Sequence, residues 1–183
     1  MKIYFIPMLA ALLFISCGEN KKPEDSTEVA EDHNDVKFDV AEKDAEFAVK
    51  ATVAGLFEVK AAELALARTT NSDVRALAEM MKTDHAAANG ELSGLVQQKN
   101  ISVPDTMDSE HSKKYYDLKD ESVEDFDKAY VDMMVKGHKD VIDFFEKEEK
   151  DGTNPDVKNW ASAKLPTLRH HLEMAQSTQD KLK

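Results

Sequence analysis

Apolar residues recur along most of the chain at the spacing of one helix face. Val74, Leu77, Ala78, Met81, His85, Ala88, Leu92 and Leu95 follow the i, i+3, i+4, i+7 rhythm, with an imidazole standing where a leucine would be ordinary. The rhythm predicts four long helices. The first runs from about 40 to 67, with Phe47, Ala51, Ala54, Glu58, Ala61 and Ala65 on one face and many alanines that favour helix. The second runs from about 72 to 99. The third, from about 123 to 150, carries Phe126, Tyr130, Met134, His138, Val141 and Phe145. The fourth starts at Asn154 and Pro155, because proline suits the first helical position. Its stripe is Val157, Ala161, Leu165, Leu168, Leu172 and Ala175, and Pro166 is expected to bend it.

The connections set the topology. "TTNSD" after Ala67 and "DGTNPD" after Lys150 are short, so each joins antiparallel neighbours. Between Asn100 and Glu121 the rhythm lapses and Pro104 blocks continuation, leaving a long crossover with a short helical piece near Lys113 to Leu118. Short, long, short gives two helical hairpins joined by one crossover. The expected fold is all-α, a ferritin-like four-helix bundle. "NSDVRALA" from Asn71 and "NPDVKNWA" from Asn154 match at four positions, which suggests a repeated hairpin or shared helix-start chemistry.

The ends of the chain read differently. Lys2 precedes an apolar run from Ile3 to Ile15, too short for a bilayer span of about 20 residues, and Ser16 stands before the single cysteine, Cys17. This reads as a signal peptide over 1–16, and its end resembles a bacterial lipobox, although Phe14 stands where that pattern usually has leucine. The resemblance implies lipidation of Cys17. From Cys17 to about residue 38 the text is polar and acidic, the composition of a disordered tether, with His33 solvated. Residues 39–183 remain for the bundle. The expected location is the bacterial cell envelope: an outer-membrane lipoprotein facing the periplasm or the surface. Its partners are then the membrane, through the lipid, and a second copy of the chain if the bundle forms a homodimer.

Charge narrows the function. A formal net charge of −12 with no basic stripe excludes nucleic acid. With only six glycines there is no phosphate loop, dinucleotide fingerprint or nucleophile elbow, so a binding or structural role is expected before an enzymatic one.

The chemistry lies at mid-helix. Each long helix carries one potential ligand near its centre: Glu58, His85, His138 and His171. In antiparallel helices of similar length those centres share a layer. A carboxylate with three imidazoles suits one transition metal ion. The same four groups could equally form a structural network, with Glu58 accepting hydrogen bonds from two imidazoles. Neither His85, His138 nor His171 has a glutamate three residues before it, which excludes the paired-iron ferritin site. Met81 and Met134, one turn before His85 and His138, read as core filler. Asp84, Glu91, His111 and His170 read as surface residues.

The helical text "AGLFEVKAAELA", "VRALAEMMKTDHAAANGEL", "FDKAYVDMMVKGHKDVIDFFEKE" and "VKNWASAKLPTLRHHLEMA" resembles an uncharacterised ferritin-like family. That family is often labelled "predicted outer membrane protein", domain of unknown function 4142. The resemblance spans about residues 39–181. Its most specific marks are Met-x-x-Asp-His at 81–85, Met-x-x-x-His at 134–138 and Leu-Pro-x-Leu-x-x-His at 165–171. It implies a ferritin-like bundle in the envelope and assigns no activity.

Overall fold

Asn71 and Asn154 begin two helices in the same way. Each sits in extended backbone, and its Oδ1 accepts from the backbone N–H groups two and three residues on: Asp73 and Val74 in one case, Asp156 and Val157 in the other. The shared segments are therefore shared caps that satisfy otherwise orphaned donors. In both copies the valine and the closing alanine (Val74 and Ala78, Val157 and Ala161) are buried.

A computed structural model describes residues 25–35 and 42–183. Among them are six helices and no strand: α1 Ser26–Asp35, α2 Glu42–Arg68, α3 Ser72–Gln98, α4 Ser109–Asp120, α5 Phe126–Asp151 and α6 Pro155–Lys181. The signal peptide and Cys17 lie outside the described residues. α2 and α3 form one hairpin and α5 and α6 the other. α2 also packs on α5, and α3 on α6, which closes a four-helix bundle with the ferritin-like connection order.

The crossover is held at both ends. α3 stops because Asn100 adopts φ 54°, a left-handed conformation that asparagine tolerates. The Asn100 and Ile101 N–H groups then return to the Gln97 and Val96 carbonyls, and Ile101 and Val96 share one apolar cluster. At the other end, the Arg68 guanidinium donates to the Lys119 and Glu121 carbonyls at 2.6 and 2.7 Å and lies 4.2 Å over the Phe126 ring. The helical piece between them, α4, is longer than the sequence suggests. Asp108 caps it, and it lies against α2.

One expectation needs correction. The acidic tether is not featureless to residue 38, since Ser26–Asp35 is helical and packs on α2. Ala30 is buried, and Asn34 exchanges two hydrogen bonds with the backbone of Ser102, at 2.7 and 2.9 Å. A few specific bonds hold this helix in place of an apolar stripe. His33 is exposed, as expected.

The core falls into two clusters. One gathers Phe57, Leu77, Met81, Tyr130 and Met134; the other gathers Phe47, Leu92, Ile142, Phe145, Leu165 and Leu168. All four long helices pass from one cluster to the other, and near the change of cluster each carries its mid-helix polar residue.

The second hairpin turn is fastened from outside. Asp44, fully buried in the first turn of α2, accepts from the Thr153 N–H at 2.8 Å, from the Thr153 hydroxyl and from the Asn154 N–H at 3.0 Å. Burial pushes its carboxyl up, but these donors outweigh that and hold it below the usual range. Asp44→Ala strands buried donors. It should lower unfolding stability by about 3 kcal/mol in denaturant titration, and a loss within the scatter of surface substitutions would contradict this role.

A buried three-histidine centre

His85 from α3, His138 from α5 and His171 from α6 are all buried, and one nitrogen from each lies within 4.8 Å of the other two. The three ring centroids are 5.1 to 5.5 Å apart. Each imidazole occupies a stripe position and is aimed inward by the helix that carries it.

The hydrogen bonds fix where the protons are. His138 Nδ1 stands 3.0 Å from the Met134 carbonyl, which can only accept, so Nδ1 carries the hydrogen and Nε2 of the neutral ring is bare. His171 Nε2 stands 2.9 Å from an Asp84 carboxylate oxygen, so Nε2 carries the hydrogen and Nδ1 is bare. These two bare nitrogens face each other across 3.3 Å. His85 Nε2 is buried with no hydrogen-bond partner.

Protons are poor occupants of this space. Burial, then the neighbouring imidazoles, pushes His85 down to about 3. Burial, then His171, pushes His138 down to about 4 against the help of the Met134 carbonyl. Burial also lowers His171, with Asp84 opposing. The rings are neutral at physiological pH, which is the form that ligates metal. Two nitrogens bound at about 2.0–2.1 Å in a tetrahedral shell stand about 3.3 Å apart, the separation found here.

Glu58 does not complete the set. Its Oε1 lies 4.0 Å from His138 Nδ1, the nitrogen already bonded to Met134, so it addresses the outer side of that ring. The expected pair of imidazole hydrogen bonds to Glu58 is absent, and its Oε2 is buried without a partner. Burial pushes its carboxyl up to about 8. Tyr130, whose hydroxyl is also buried and unpartnered, is raised well above its usual range by burial and by Glu58.

Asp84 is the residue that the sequence reading missed. Its side chain is 42% exposed, as expected of a surface residue, yet it reaches across the α3–α6 interface to orient His171. Its place beside His85, in an Asp-His pair, was the available signal, since metal-ligating histidines commonly carry a carboxylate on the far nitrogen. His170 is exposed, while His111 is half-buried against Phe57, with ring centroids 5.4 Å apart. Glu91 is on the surface, paired with Lys164.

The family described as Domain of unknown function (DUF4142) matches residues 30–178. The crystal structure of a DUF305 fragment from Deinococcus radiodurans is similar in fold: TM-score 0.69 at 14% identity, covering 78% of this chain and 98% of that one. Among curated proteins none matches the chain.

The buried groups oppose one another in pH. From about 6.5 down towards 3 the unfolded chain binds protons that His85 and His138 refuse in the fold, so acid destabilises. From about 4.5 up to about 8 the fold keeps a Glu58 proton that the unfolded chain releases, so a rise in pH also destabilises. Buried Glu148, which burial pushes up to about 7, adds to that fall, so the metal-free protein should melt highest between about pH 5 and 6.5. Glu58→Gln should remove most of the fall between pH 7 and 8, and thermal melts across that interval in which the variant falls as steeply as the wild type would exclude Glu58 as its source.

Proposed function

The chain belongs to the DUF4142 family, and from that premise we propose that its bundle binds one transition metal ion through His85, His138 and His171. The observation that carries this reading is the pair of bare nitrogens facing across 3.3 Å in the core. Two lone pairs at that distance repel unless a cation lies between them, and burial disfavours the proton. A purely structural network is supported less well, because it leaves His85 Nε2 without a partner and those lone pairs opposed.

The donor set favours one class of ion. Three neutral imidazoles suit zinc, copper or nickel above magnesium or calcium, which prefer oxygen. With three protein ligands a fourth position stays free, the arrangement of sites that engage an exogenous ligand. Sequestration or metal-dependent chemistry in the envelope is the role that follows.

Location is the second part of the proposal. It rests on the apolar run from Ile3 to Ile15 ahead of Ser16 and Cys17, which would tether the bundle to the membrane by lipid. No helix among the described residues is long and apolar enough to cross a membrane. Cys17→Ser should shift the protein from the membrane to the soluble fraction of envelope preparations; unchanged fractionation would overturn the anchor.

Metal binding is tested on protein purified without an affinity tag. Zinc or copper should bind at one ion per chain and raise the thermal midpoint, since an ion that binds only the folded state stabilises it. Chelator should reverse the gain. His85→Ala should abolish stoichiometric binding, and Asp84→Asn should weaken affinity about 10–100-fold. Substoichiometric metal with a midpoint indifferent to chelator would return the three histidines to a structural role.

A further inference from the structure

A cleft of about 230 Å³ opens onto the three imidazoles. It exists because the helices around it are locally small. Ala51, Ala54 and Gly55 on α2 and Ala88 on α3 line it, where the same stripes elsewhere carry phenylalanine, leucine and methionine. Gly55 has a specific part, since a Cβ there would collide with the Asn89 side chain, which lies against α2 in the cleft wall. Against about 30 Å³ per water molecule in the liquid, the space is several times that of one water. That is more than a single bound water and less than a nucleotide.

The lining describes what would fit. Phe145, Leu168 and Trp160 form an apolar wall. The Trp160 Nε1–H is buried with no acceptor. Lys164 also lines the cleft, held to Glu91 by an ion pair on its exposed side. A divalent ion on three neutral imidazoles keeps its full charge in a largely buried site, which makes an anion the favoured fourth ligand.

We propose that the cleft holds a small organic carboxylate, with its head on the free position of the ion and its compact apolar body along Phe145, Leu168 and Trp160. Lys164 places a positive charge beside the cleft, which an uncharged ligand would leave unused. This inference rests on the ion-binding reading above.

The full-length protein loaded with cobalt(II), whose visible absorption reports its coordination, separates the two. Cobalt uptake at one per chain with a benzoate titration that saturates and changes the spectrum is the expected result. Benzyl alcohol, of similar shape and uncharged, should leave the spectrum as it was. Lys164→Gln should weaken benzoate about threefold by removing a positive charge beside the cleft. Ala54→Leu should exclude benzoate by filling the space, and both variants should still take up cobalt. Stoichiometric cobalt uptake with no response to benzoate, a response to azide alone, or equal benzoate affinity in both variants and the wild type would overturn the carboxylate site and leave the ion site standing. No cobalt uptake in the wild type would remove both.

Discussion

Two ring nitrogens that must both be bare stand 3.3 Å apart between two apolar clusters, and each is held there by what its ring does on the far side. His138 cannot turn without abandoning the Met134 carbonyl, and His171 cannot turn without abandoning Asp84. The repulsion is thus locked in by bonds of ordinary strength, each contributing about 0.5 to 3 kcal/mol. The bundle supplies the rest of the constraint, since helices packed on both sides keep the imidazoles at one level.

The two nearby carboxyls act on the imidazoles in different ways. Glu58 lies close by, but burial keeps it protonated to about pH 8, so it brings no negative charge at neutrality. Asp84 is half in solvent and contributes orientation. A structure selected for the tightest core would place leucine at these stripe positions. Three imidazoles there exchange packing for a set of aimed donors, a trade more common at functional sites than in structural cores.

The long helices and their order were legible because apolar periodicity is strong over more than twenty residues, and because Asn71 and Asn154 announce helix starts with a specific cap. The three histidines were legible for the same reason, as polar exceptions on an apolar stripe. Glu58 shows where such reasoning stops: its level in the bundle follows from position, but the side of the His138 ring that it meets depends on how α2 packs on α5. Asp84 was hidden because a residue next to His85 points about 100° round the helix, towards apparent solvent, and only the α3–α6 contact brings it to His171. α1 was illegible because Asn34 and one buried alanine hold it, with no apolar stripe to read.

The two Asn-capped helices can be laid over one another from Asn71–Ala78 onto Asn154–Ala161, and that register sets His85 opposite Leu168 and His171 opposite Ala88. The paired helices therefore do not repeat their histidines; one copy carries its ring three residues later, a little under a turn. If duplication built this fold, the set of three histidines arose after the copies diverged, and the lag made it lopsided. The alanine left across from His171 lines the cleft that opens onto the imidazoles.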